Sequence, residues 1–252
     1  MERRDTMRLT CTFLTKRLPV SYRMLFVSYI KKCLEQADKE YYHSLYFYNG
    51  RRNKKTKPFS FSVFLHNYEL RDEEFIIDGD LSLNITSSDP QFLMTLYNGM
   101  VQETSLLYKG YNLQRKKIQI IQSHQPFSST MLFRTMSPML IVDKQKKSVE
   151  IENREVYERQ LLYTANLILE QTRGYGLLEP LSFEPVLMRK IMIKEKINEF
   201  TQRTGKSHIL FLGYKGDFWL KGHPNDLEDL YHLGLSMRRN SGFGMLQVLN
   251  QK

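Results

Sequence analysis

Six histidines are the most versatile reactive groups in this chain: His43, His66, His124, His208, His223 and His232. No two stand at the H-x-x-x-H or Cys/His spacing of a zinc site. Carboxylates do not gather either; Asp72-Glu73-Glu74 and the Asp78/Asp80 pair read as solvated loop charge. The phosphate-cradling G-x-x-x-x-G-K and the nucleophile-turn G-x-S-x-G are both missing. Neither a metal nor an organic cofactor is expected. What remains is chemistry that an imidazole and a cluster of cations can do. Tyr41-Tyr42-His43 precedes a basic run of Arg51, Arg52, Lys54, Lys55 and Lys57. Near the C-terminal end, Arg238-Arg239-Asn240-Ser241-Gly242-Phe243-Gly244 sets two guanidiniums beside two glycines. Glycine permits positive φ and leaves no Cβ in the way, so backbone N–H groups there can approach an anion. Arg238 and Arg239 add full charge beside them.

The chain has 252 residues and a net charge of +10. The excess is spread evenly, with 19 basic against 13 acidic residues up to Ser128 and 18 against 14 beyond it. A polyanion is the natural partner. Met188, Lys190, Met192, Lys194 and Lys196 alternate onto one strand face, and Arg115-Lys116-Lys117 forms a second basic patch; both suit phosphate contacts. RNA is a polyanion that carries its own nucleophile. If a base removes the 2′-hydroxyl proton, that oxygen attacks the adjacent phosphorus, leaving a 2′,3′-cyclic phosphate and a 5′-hydroxyl. One imidazole, fixed positive charge and geometry suffice. Cys11 and Cys33 each fall in an apolar element and read as buried thiols. The charged first residues lack the apolar segment of a signal peptide and no run reaches membrane-spanning length, so a cytoplasmic protein is expected.

The elements that must position these groups can be read in order. Arg8–Leu14 alternates as a strand, with Leu9, Cys11 and Phe13 on one face. Tyr22, Leu25, Phe26, Tyr29, Ile30, Cys33 and Leu34 form a helical stripe. A polar and basic passage over Glu40–Lys57 leads to a strand at Phe59–Leu65, with Ser60 and Ser62 off the core face. A third strand spans roughly Phe75–Ile85, bent at Asp78-Gly79. Asp89-Pro90 opens a helix, and Tyr111–Gln122 is the fourth strand. Beyond a linker at residues 125–129, the same order recurs: a strand at Met131–Val142, a helix capped by Asn153, strands at Phe183–Lys194 and His208–Leu220, a helix at Asp226–Leu233 and a strand at Gly244–Leu249. The expected fold is α+β, a tandem pair of ferredoxin-like (βαββαβ, RRM-like) domains over residues 1–124 and 130–252.

The C-terminal stretch from Gly222 through Leu249 resembles the glycine-rich signature of the CRISPR repeat-processing endoribonucleases of the RAMP superfamily. Phe133-Arg134-Thr135-Met136-Ser137-Pro138 is similar to that family's Thr-x-Ser-Pro strand. Lys57-Pro58-Phe59-Ser60-Phe61-Ser62 looks like the basic residue and Phe-Thr-Phe-Ser strand that follow its catalytic loop. The resemblance implies a metal-independent endonuclease that cuts CRISPR precursor RNA within repeats. It makes His43 the general base, Lys57 a phosphate stabiliser and Tyr42 or Tyr41 a positioning group. Substrate contacts would come from Tyr41, Arg51, Arg52, Lys54, Lys55, Lys190, Lys194, Arg238, Arg239, Asn240, Ser241, Gly242 and Gly244. Repeat RNA is the implied partner, with other effector-complex subunits or a second copy in a homodimer beside it. A non-catalytic RNA-binding RAMP subunit is the competing class. The departure is spacing: fourteen residues separate His43 from Lys57, which an inserted turn around Tyr48-Asn49-Gly50 would explain.

Overall fold

A computed structural model of the chain describes residues 6–53, 55–123, 126–196 and 208–252. The first unit runs β1 (Thr6–Leu14), β2 (Arg17–Pro19), α1 (Arg23–Ala37), α2 (Lys39–Tyr46), β3 (Phe47–Tyr48), β4 (Arg51–Arg52), β5 (Phe59–Leu65), β6 (Tyr68–Arg71), β7 (Glu74–Ile77), β8 (Asp80–Ser87), α3 (Pro90–Gln102), β9 (Ser105–Tyr108) and β10 (Tyr111–Ser123). Its main sheet has the order β5-β8-β1-β10-β9, antiparallel throughout. The alternating Leu9, Cys11 and Phe13 of β1 turn inward against α1, whose Leu25, Phe26, Tyr29, Ile30, Cys33 and Leu34 are fully buried. Asp89 caps α3 by accepting the Gln91 N–H at 2.9 Å. A Cβ on Gly99 would stand 1.9 Å from the Cys33 carbonyl oxygen, so only glycine lets α3 approach α1 this closely. Cys11 and Cys33 are free thiols in this core, and burial pushes each up to about 12.

The expected bent strand over Phe75–Ile85 is two strands in two sheets. Gly79, at φ +119, lets the chain leave β7, which lies in a small sheet β2-β7-β6, and enter β8 in the main one. The polar passage after α1 is also more ordered than its sequence implies, since it holds α2 and a two-strand hairpin.

The second unit comprises β11 (Thr130–Thr135), α4 (Arg154–Arg173), β12 (Ser182–Glu195), β13 (Ile209–Lys221), α5 (Pro224–Leu233) and β14 (Leu246–Gln251), with sheet order β12-β13-β11-β14. In both units the four main strands take the ferredoxin-like arrangement, second-third-first-fourth. Asn153 stands at the N-cap of α4, but its side chain makes no capping hydrogen bond. The strand expected over Met131–Val142 stops at Thr135. Past that point the backbone turns to the C-terminal turn, with Met136 N donating to Met245 O at 2.8 Å and the Ser137 hydroxyl accepting from Met245 N at 2.9 Å, and it returns to β13 only in the isolated bridge of Met139 with Tyr214. Gly244 N in turn donates to Pro138 O at 2.8 Å.

The two units are pinned together by buried arginines. Arg8 stacks 3.8 Å above the Tyr231 ring centroid and donates to Leu246 O at 2.7 Å. Arg23, at the start of α1, pairs with Glu195 at the end of β12 at 2.7 Å and donates to Gly242 O at 3.3 Å. Ser60 and Ser62, expected off the core, are buried as well, because the second unit covers that face of β5.

Candidate active site

Asp38 separates α1 from α2. Its N–H closes α1 on Leu34 O, and its carboxylate accepts the Tyr41 N–H at 2.9 Å to open α2. After the eight residues of α2 the chain makes the hairpin β3–β4, where Asn49 and Gly50 both take positive φ (48° and 72°). It then returns to α2: Asn53 N donates to Tyr46 O at 2.8 Å and Asn53 Nδ2 to Leu45 O at 3.2 Å. The fourteen-residue spacing is thus taken up by the end of a helix and a closed hairpin, with the turn at Tyr48-Asn49-Gly50.

Within this insert His43 is exposed and stacks on Phe47 (centroids 5.0 Å apart) with Tyr42 edge-on at 5.8 Å. Tyr42 meets Tyr46 at 5.0 Å, and the Lys57 ammonium lies 5.3 Å from the Tyr46 ring centroid. The expected catalytic trio is gathered in one place, with Tyr46 as the link between His43–Tyr42 and Lys57. Lys57 is only 7% exposed and donates to Asn53 O at 3.0 Å and Lys55 O at 2.6 Å. Burial, and then the charge of Lys31, brings it down to about 8 from the ordinary lysine value.

Several expected contact residues serve other ends. The Tyr41 hydroxyl donates to Asp89 at 2.7 Å, strapping α2 to the start of α3, and burial with that carboxylate raises its pKa. Arg239, expected as an open cation, is 1% exposed and donates to Leu233 O at 2.6 Å; burial lowers it to about 9. Arg238 is the exposed member of the pair and lies 4.7 Å over Phe211. The N–H groups of Ser241, Gly242 and Gly244 bond to Arg238 O, Arg239 O and Pro138 O. The turn therefore does not offer these three N–H groups to an anion. Glycine is needed here for packing: a Cβ on Gly244 would lie 2.3 Å from that of Ser236, and one on Gly242 would lie 2.9 Å from the Phe61 ring.

Asn240 is the most informative of these residues. Its Oδ1 accepts Lys57 N at 2.9 Å, while its Nδ2 donates to Lys57 O at 2.9 Å and Phe59 O at 2.7 Å. The C-terminal turn of the second unit thereby grips the backbone on both sides of the first unit's Lys57. Sequence reading missed this clamp, and it missed Asn53, Tyr46 and Lys31; only a fold brings residues so distant in sequence together. Lys55 is exposed, Arg51 and Arg52 form β4, and Lys54 lies outside the described residues. On the long β12 face, Lys190 pairs with Glu150 at 2.9 Å and Lys194 with Glu73, so this surface is charge-paired and not bare cation. Between the two sheets lies a cleft of about 750 Å³ lined by Ser62, Asn84, Arg134, Arg189 and Lys215. No three His, Cys, Asp or Glu side chains converge on a metal-sized site among the described residues. No helix among them is long and apolar enough to cross a membrane.

Paired ferredoxin-like units, with a glycine-punctuated C-terminal turn fastened to the first, define the RAMP class of CRISPR proteins. The family model described as CRISPR associated protein Cas6, C-terminal, matches residues 113–248, more than half of the chain, and the chain belongs to that family. Its line of work is the processing or binding of CRISPR repeat RNA. Among solved structures, the product of a Cas6-related gene from Pyrococcus furiosus is similar at 16% identity and TM-score 0.80, over 98% of this chain and all of that one. A structure described as an RAMP protein binding different RNA substrates is similar at 16% identity and TM-score 0.77, over 97% of this chain and all of that one. A CRISPR associated protein Cas6 follows at 19% and 0.72, with coverage of 97% and 100%. At these identities the likeness is one of fold. No curated protein sequence matches the chain.

Proposed function

We propose that the chain is a metal-independent endoribonuclease that cuts CRISPR precursor RNA within its repeats. The observation that carries this reading is the Asn240 clamp. It joins the glycine-rich turn to the Lys57 segment, so that His43, Tyr42, Lys57 and the family's C-terminal signature make one locality.

The step balances as follows. The His43 imidazole takes the 2′-hydroxyl proton, and the freed oxygen forms a bond to phosphorus. The bond from phosphorus to the 5′-oxygen breaks, and that oxygen gains a proton. The products are a 2′,3′-cyclic phosphate and a 5′-hydroxyl. Exposure of His43 leaves its ring open to the sugar, and its stack on Phe47 with Tyr42 at the edge fixes its plane. Lys57, as an ammonium, holds the charge that builds on the phosphate. Arg51, Arg52, Lys54, Lys55 and Arg238 supply positioning contacts to neighbouring phosphates, and these contacts weaken with salt.

The test is incubation of the purified protein with repeat RNA in EDTA, beside a substrate with one 2′-deoxy nucleotide at the cut. The first is expected to be cut and the second left whole. His43→Ala is expected to lose about 10²–10⁴-fold in single-turnover rate while keeping RNA affinity. Salt-sensitive binding with no cleavage by the wild-type protein would replace this reading with that of a non-catalytic RNA-binding RAMP subunit.

A further inference from the structure

A 5′-oxygen that leaves phosphorus must gain a proton, and in-line displacement sets it opposite the attacking 2′-oxygen. A group other than His43 must then give that proton. The Tyr41 hydroxyl is committed to Asp89, and burial raises the phenols of both Tyr41 and Tyr46. Lys57 moves the other way, down to about 8, with burial the first cause and the charge of Lys31 the second. An ammonium has three N–H donors. Two of those on Lys57 go to Asn53 O at 3.0 Å and Lys55 O at 2.6 Å; the third has no oxygen or nitrogen acceptor among the described residues.

We propose that the Lys57 ammonium is the general acid that protonates the leaving 5′-oxygen, and that Asn53 is the positioning residue that aims it. Asn53 is tied at three points. Its N–H donates to Tyr46 O at 2.8 Å, its Nδ2 to Leu45 O at 3.2 Å, and its Oδ1 accepts Lys55 N at 2.9 Å. The carbonyl that receives the ammonium therefore sits on a fixed backbone. Asn240 grips the N–H and carbonyl of Lys57 itself, each at 2.9 Å. The lysine is thus held at root and tip, with one N–H left to give. Its charged and titratable neighbours are Lys31 from α1 and Tyr46 from α2, while the C-terminal turn presents the neutral Asn240. As the phosphorus–5′-oxygen bond breaks, its electron pair stays on that oxygen, which takes the proton from Lys57 Nζ. Lys57 is left as a neutral amine and His43 as an imidazolium; water then returns a proton to the first and removes one from the second. The proposal rests on the reading of this locality as the RNA-cutting site, and the experiment separates the two.

Two substrates are compared under single-turnover conditions: repeat RNA, and the same RNA with sulfur in place of the 5′-oxygen at the cut. A thiolate leaves without a proton, so the second substrate needs no acid. Lys57→Arg keeps a cation at the phosphate but holds its protons too tightly to give one. It is expected to lose roughly 10²–10⁴-fold on the natural RNA and far less on the sulfur substrate. Asn53→Ala leaves Lys57 in place but misaimed, and is expected to lose about 10–100-fold on the natural RNA, again largely recovered with sulfur. A merely structural defect would slow both substrates alike. If wild type cuts, and both variants bind RNA yet lose the same factor on the two substrates, the acid role is overturned and the nuclease reading stands. If wild type binds and cuts neither substrate, both fall.

Discussion

An imidazole that is to take a proton from a substrate sugar must be reachable, whereas an ammonium that is to stabilise a phosphate gains strength from partial exclusion of water. His43 and Lys57 are placed in these two ways, one exposed and the other almost covered. The folded protein holds Lys57 near 8, below its ordinary value, so the charged form is lost as pH rises through that point. Cleavage is expected to fall about tenfold per unit above pH 8. Lys57→Arg should remove that fall, because guanidinium stays charged; a pH–rate series under single-turnover conditions checks both. For stability the sign is opposite: burying the ammonium is costly below about pH 8, and the cost is relieved as pH climbs toward the unfolded value. The adjacent pair Arg238 and Arg239 makes a second contrast. Arg239→Ala leaves the Leu233 carbonyl without its donor and opens a cavity, for a loss of about 3 kcal/mol, whereas Arg238→Ala costs less than about 1 kcal/mol. Thermal denaturation of the two variants measures the difference. In sequence these arginines look equivalent; the left-handed φ of 60° at Arg238 and the packing beyond it decide which one faces water.

Strands and helices with strong apolar periodicity were legible: β1, α1, β5, α3 and α4 lie where alternation and helical stripes place them. α2 was not: its Tyr41, Tyr42, Leu45 and Tyr46 pack on the core only partly buried, and a stripe confined to eight residues set among polar and basic neighbours is too short to stand out. Its clearest signal was Asp38, a capping residue set directly after an apolar helix. The break between β7 and β8 was visible as Asp78-Gly79, but not the change of sheet, because pairing partners are a property of the whole fold. The C-terminal turn was recognised for its glycines, and its task was misjudged: its N–H groups knit the chain to Pro138 and Arg239, and Asn240 carries the link to Lys57. Gly244→Ala is therefore expected to act as a packing defect. Its φ of 70° and a Cβ contact of 2.3 Å with Ser236 suggest a loss of about 2 kcal/mol or more, read as a fall of several degrees in Tm.

At the level of the whole molecule, two basic units depend on a few buried ties. Removing one member of the Arg23–Glu195 pair strands the other charge, so Glu195→Ala is expected to cost about 3–5 kcal/mol. Trp219, the single tryptophan, belongs to β13 in the second unit, so its fluorescence follows that unit while circular dichroism follows both. In wild type the two signals should change together on adding urea; in Glu195→Ala they should separate, and coincident transitions in the variant would show that the pair does not couple the units. The position of the two cysteines has a practical consequence as well. With both sulfurs sealed in the first core and held almost entirely as thiols at neutral pH, the native protein ignores maleimides and mild oxidants. Ser44→Cys, exposed one residue past His43, would take a single fluorophore at the mouth of the site without any native cysteine having to be removed.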